Sequence, residues 1–182
     1  MVAVWNEEEV LALLFERLGS VFSSEKLQQL RIKTVRYLMI DDGSRDRSAE
    51  IIAAAIDRGV QAVLYRLSRN FGHQSAVSAG LDNAQGDLVA IIDADLQDPP
   101  ELIPAMVERW REGHDVVYAQ RRRRAETPIK LVGYWAFYRL VAFLADVDIP
   151  LDTGDFCLMD RRVVETIRAL PERLRFPRVL RA

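Results

Sequence analysis

Two histidines, one cysteine and almost no net charge leave this 182-residue chain with a narrow choice of chemistry. The lone cysteine, Cys157, cannot close an internal disulfide, and no zinc-type spacing surrounds it. A reducing, cytosolic setting fits that count. A formal net charge of -2 argues against nucleic acid as the main partner. His114 follows Gly113 and reads as a solvated loop residue, whereas His73 lies in a polar motif and reads as a loop-orienting group. No basic segment and apolar run follow Met1, so no secretory leader is expected. The longest apolar-rich stretch, 129–147, is interrupted by Lys130, Arg139 and Asp146. It reads as a buried core helix, with a membrane-surface helix as the alternative, and not as a spanning segment. Neither an internal repeat nor a low-complexity linker divides the chain, so a single domain is expected.

What the chain does have is alternation. Apolar runs at 2–5, 35–40, 60–67, 88–92 and 116–118 read as strands. Helical spacing occupies 8–18, where Val10, Leu13, Leu14 and Leu18 share a face. Asp46 suits the start of a helix that runs to about Arg58 and stops at Gly59, and a helix rich in small residues covers 74–83. Pro99-Pro100 opens a helix reaching about Trp110. Further on, a helix is expected over 128–145, a strand over 152–160 and a last helix over 162–170. This βαβα rhythm predicts an α/β fold with a mostly parallel sheet and helices on both faces. Ligands in such sheets sit beyond the carboxyl ends of the strands. Polar clusters fall at four of those ends: Asn6-Glu7, Asp41-Asp42, Asn70 and Asp93-Ala94-Asp95. One such cluster is ordinary loop chemistry; four on one rim predict one site.

Asp93 and Asp95 are two residues apart at the end of an apolar strand. In extended chain such side chains point the same way. Two close carboxylates repel unless a cation relieves them. Oxygen ligands suit magnesium or manganese, and Gln97 continues the spacing with a neutral amide oxygen. Such ions complete their shell with phosphate oxygens and water, so a diphosphate is the expected ligand.

The string DADLQDPP (93–100) resembles a signature of family 2 glycosyltransferases with the GT-A fold. The resemblance is nearest to dolichol-phosphate mannose synthases and bacterial polyprenyl-phosphate glycosyltransferases. WNEEE (5–9), DDGSRDRS (41–48), LSRNFGHQSAVSAGL (67–81) and GDFCLMDR (154–161) are similar to the other motifs of that family, in the same order. The resemblance implies a single GT-A catalytic domain over 1–182, with 1–119 binding a nucleotide sugar and 120–182 the acceptor. The resemblance implies a membrane region beyond this point in relatives, and none is expected within these 182 residues.

Roles follow from the resemblance, position by position. Ala3, Trp5, Glu7, Asp41 and Asp42 would hold the nucleotide, with Trp5 able to stack on a base and carboxylates able to accept from base or ribose. A competing reading makes Trp5 a buried strand aromatic. Relatives carry Pro-x-Tyr before the Asn-Glu where this chain has Ala3-Val4-Trp5, which leaves UDP and GDP both open as the nucleotide. Asp93 would touch the donor, and Asp95 and Gln97 would hold Mg2+ or Mn2+, a Lewis acid for the departing diphosphate. The implied acceptor is a polyprenyl or dolichyl phosphate, already anionic, which needs no strong base. Arg121, Arg124 and Lys130 would grip its phosphate, and Arg175 and Arg178 are weaker choices. Basic residues near a membrane surface also attract anionic lipid, by about 1 kcal/mol each. Asp155 stands where related inverting enzymes carry an acidic base, or it orients the acceptor arginines or the sugar. The implied reaction inverts the sugar carbon, at the cytoplasmic face of a membrane. Oligomeric state, a homo-oligomer included, stays open.

Three rivals stand beside this reading. An aspartyl phosphatase also uses Asp-x-Asp after a strand, but its motif normally opens the first core strand and runs on into Thr or Val, not Leu96-Gln97. A nucleotide-binding fragment without turnover, or a family 2 transferase with a non-lipid acceptor, would share the motifs.

Overall fold

Alternating apolar residues decide how the sheet is covered. The computed structural model describes residues 1–120 and 153–170. Within them lie β1 (Val2–Val4), α1 (Leu11–Val21), α2 (Ser24–Gln29), β2 (Tyr37–Asp41), α3 (Ser48–Asp57) and β3 (Ala62–Arg66). There follow α4 (His73–Asn83), β4 (Leu88–Asp93), α5 (Ile103–Arg111), β5 (Val116–Gln120), β6 (Thr153–Asp160) and α6 (Arg161–Ala169). Val2, Val4, Met39, Ile92 and Leu158 point to one face, where α1, α3 and α5 deliver Leu11, Leu14, Leu18, Ile52, Met106 and Val107. Ala3, Ile40, Ile91, Cys157 and Met159 point to the other, against Ala76, Val77 and Leu81 of α4 and Val164 and Ile167 of α6. Each fully buried Leu or Ile contributes about 2 kcal/mol of transfer free energy.

The strands form one six-stranded sheet in the order β3-β2-β1-β4-β6-β5. β1 is parallel to both β2 and β4, and β2 to β3, while β6 is antiparallel to β4 and β5. The α/β architecture expected from the alternation, with helices on both faces, is therefore the one observed. β1 is only three residues long, yet every one of them is buried, because strands flank it on both sides and helices cover both faces. The chain leaves β1 toward β2 on one side and reaches β4 on the other. The order thus reverses beside β1, which is where open α/β sheets bind ligands.

Boundaries differ from the expectations for local reasons. Residues 7–10 form a turn, with the Val10 and Leu11 amides both donating to the Glu7 carbonyl, so α1 starts three residues late. α2 was not expected: it has six residues and buries none, so it leaves no amphipathic trace. Pro99-Pro100 opens a 3-10 turn (Pro100–Leu102) before α5. Arg17 of α1 clasps Glu101 of that turn with two hydrogen bonds, at 2.8 and 2.5 Å. The expected helix at 128–145 lies outside the described residues. Among the described residues no helix is long and apolar enough to cross a membrane.

Candidate active site

The first wall of the site is made by hydrogen bonds between two loops. Asn6 follows β1 with φ 55, a left-handed turn that Asn tolerates better than most residues. Its amide donates to Ser44 Oγ at 2.9 Å, and its Oδ1 accepts the Arg45 amide at 2.9 Å. The Glu7 amide donates to the buried Ser48 Oγ at 2.8 Å. Asp46 accepts the amides of Glu8 and Ser48, and Glu8 in return accepts the amide of Arg47. Asp46 thus serves the start of α3, as expected, and also fixes the loop after β1. Desolvation works against the Asp46 anion, but the hydrogen bonds from Ser48 and Glu8 outweigh it and hold the carboxyl below its ordinary range.

The second wall comes from the loop after β3. Both carboxylate oxygens of Asp42 accept backbone amides there, Phe71 at 2.8 Å and Gly72 at 2.9 Å. Gly43 makes that closeness possible. Its φ is 68, and a β-carbon on it would lie 2.4 Å from the carbonyl carbon of Arg69. Asp41 is fully buried. One of its oxygens accepts the Ser44 amide and the other meets Arg66 Nε at 3.1 Å.

The third wall is the end of β4. The strand stops at Asp93, opposite Ala3 of β1. Leu96 then turns left-handed, at φ 59, and the Gln97 amide folds back to Asp95 Oδ1 at 3.0 Å. This corrects the spacing argument: Asp93, Asp95 and Gln97 do not share one face of an extended strand, because the strand has ended. Asp95 and Gln97 are exposed, Asp93 half-buried.

These walls border an open cleft of about 220 Å3 lined by Trp5, Glu7, Asp42, Asn70, His73, Asp93 and Asp95, together with Val4 and three alanines. Of the residues expected to hold a donor, Ala3, Trp5, Glu7, Asp42 and Asp93 come together here, with Asp95 beside them. Trp5 is 53% exposed, so the core-aromatic reading of it is overturned. Asp41 and Gln97 are not among the lining residues. Asn70 and His73 are: Asn70 is the polar end of the third strand, and His73 is the residue read as loop-orienting. Asp155 lies on β6, and Arg121, Arg124, Lys130, Arg175 and Arg178 lie outside the described residues.

The electrostatics of the cleft are those of crowded acids. Burial first, then the charges of Asp95, Asp46 and Asp93, raise the Glu7 carboxyl above its ordinary value. His73 Nε2 approaches Asp93 Oδ1 at 3.6 Å. Among the described residues no group of three His, Cys, Asp or Glu side chains could hold a metal ion by itself. A magnesium-type site needs only one or two carboxylates when phosphate supplies the rest. An exposed Asp95 beside mutually repelling acids fits that kind of site, and does not fit a closed protein cage.

The chain is 46% identical over 99% of its length to a Bacillus subtilis protein described as uncharacterized glycosyltransferase YkcC, covering 54% of it. It is 39% identical over 95% of its length to the bactoprenol glucosyl transferase of Shigella phage SfV, again covering 54%. The chain therefore spans about half the length of the curated relatives it matches. The fold matches that of the mannosyltransferase PcManGT from Pyrobaculum calidifontis, solved with GDP-Man and Mn2+, at a TM-score of 0.61 and 18% identity, over 93% of this chain and 46% of that one. The model of glycosyl transferase family 2 matches residues 1–168. With a GT-A fold, a cleft at its switch point and that match across nearly the whole sequence, the chain belongs to glycosyl transferase family 2.

Proposed function

We propose that this domain transfers a sugar from a nucleotide-sugar donor to a polyprenyl phosphate, with Mg2+ or Mn2+ required. One observation carries the reading: Trp5, Glu7, Asp42, Asp93 and Asp95, from the ends of three separate strands, line one cleft at the sheet's switch point. Trp5 offers an exposed ring for the base, and Glu7 and Asp42 offer acceptors for base or ribose hydrogens. Asp41 acts through the turn that it braces. Asp95 is the proposed metal ligand, with Gln97 on the same turn as a second candidate and Asp93 left for the donor. When bound, the ion supplies charge neutralisation for the diphosphate. The glycosidic C–O bond to the diphosphate breaks, an anionic oxygen of the lipid phosphate forms the new bond, and the nucleoside diphosphate leaves. A single displacement of this kind inverts the sugar carbon.

Arg121, Arg124, Lys130 and Arg175 are proposed to receive the acceptor phosphate, and Asp155 to orient those arginines or the sugar. The bactoprenol transferase relative supports a polyprenyl acceptor, and the manganese-bound mannosyltransferase neighbour supports a hard divalent ion. The proposed setting is the cytoplasmic face of a membrane. A transfer assay tests the reading. Radiolabelled UDP-glucose or GDP-mannose is incubated with undecaprenyl phosphate and Mn2+, and label is expected in the lipid extract and lost with EDTA. Tight nucleotide binding with no lipid labelling from any sugar nucleotide would point instead to a binding module.

A further inference from the structure

Glu7, Asp42, Asp93 and Asp95 all line the cleft, and among the described lining residues His73 is the one that can carry positive charge. It is not a loose surface group. It begins α4, directly after Phe71 and Gly72, whose amides are both held by Asp42. Behind it, α4 is anchored in the core through Ala76, Val77 and Leu81. The imidazole is therefore delivered from β2 and α4 to the end of β4, where Nε2 stands 3.6 Å from Asp93 Oδ1. Exposed ion pairs contribute little as a rule. At 3.6 Å this pair is longer than a direct hydrogen bond and is an ion pair when the ring is protonated; its side chains are 38% and 32% exposed and sit among further carboxylates.

We propose that His73 is a positioning residue: it holds the Asp93 carboxylate in the orientation that receives the hydroxyls of the donor's sugar. The inference rests on the donor reading above. A carboxylate repels a diphosphate and welcomes hydroxyl donors. Ribose is common to a nucleotide sugar and its bare nucleotide, so the hexose is what His73 and Asp93 would discriminate.

Calorimetry on the domain with Mn2+ tests this, using UDP-glucose and GDP-mannose against UDP and GDP. In His73→Ala the dissociation constant of the sugar nucleotide is expected to rise about tenfold relative to that of its nucleoside diphosphate, the size of one lost charge-assisted contact. The bare nucleotide should hold within about twofold. His73→Lys, which keeps a positive charge, should recover most of the ratio. His73→Leu, nearer in volume, replaces the alanine variant if that one does not fold. Equal weakening of both ligands, no weakening of either, or no recovery in His73→Lys overturns the inference while leaving the transferase reading standing. If the wild-type protein binds none of the four ligands, the transferase reading fails and this inference fails with it.

Discussion

Asp95 and Glu7 are the two residues on which the chemistry turns. Asp95 is exposed, faces the cleft and folds its own turn back by accepting the Gln97 amide. Replacing it with alanine should abolish metal-stimulated donor binding and cost roughly a hundredfold or more in sugar transfer, the scale of losing a main charge stabiliser. Normal turnover by Asp95→Ala would remove the proposed mechanism. Glu7 makes a pH-dependent prediction. Its folded carboxyl binds a proton more tightly than the unfolded chain does, chiefly through burial and then through Asp95, Asp46 and Asp93. Stability from that proton is complete below the ordinary value of 4.5 and is lost as pH rises through the raised value. Without metal, the melting temperature of the wild-type protein should therefore fall relative to Glu7→Gln as pH climbs from 4.5, and Mn2+ should narrow the gap. Parallel pH curves for the two proteins would mean that the acids do not crowd one another as described.

At the scale of elements, the site is held by loops that interlock, and two substitutions away from any ligand should reveal it. Gly43→Ala places a methyl 2.4 Å from the Arg69 backbone at a φ of 68. A cost of about 3 kcal/mol or more is expected, readable as a shift in denaturant midpoint, because neither backbone can yield cheaply. Ser48→Ala leaves the Glu7 amide without its 2.8 Å acceptor. It should lose about 1–3 kcal/mol of stability and weaken nucleotide binding, the latter measured by calorimetry. The elements themselves were legible where burial imposed a period. Strands 2–5 and 88–92 announced themselves because β1 and β4 are buried on both faces. α2 was not legible because it buries nothing. The spacing of Asp93, Asp95 and Gln97 misled for a different reason. A period-2 argument holds only while the strand lasts, and a left-handed Leu96 is a backbone choice that its side chain does not advertise.

For the whole molecule, alternation alone led to the α/β class, and the motif order led to the GT-A fold and to most of the cleft. The interlock of 6–8 with 44–48 was not legible, since Ser44, Asp46 and Ser48 read equally well as ordinary turn and cap residues. Nor was the approach of His73 to Asp93, which another strand brings to it. A ligand that bridges these loops should stabilise the entire fold, because it binds only the folded arrangement. The central claim, that the rim at Asp95 grips a divalent ion that in turn grips a diphosphate, is most directly tested by a crystal soaked with Mn2+ and a nucleotide sugar and measured at the manganese absorption edge. The account predicts one anomalous peak in contact with both the Asp95 carboxylate and the diphosphate oxygens, with the base against Trp5. A diphosphate bound elsewhere, or a manganese peak remote from Asp95, would contradict it.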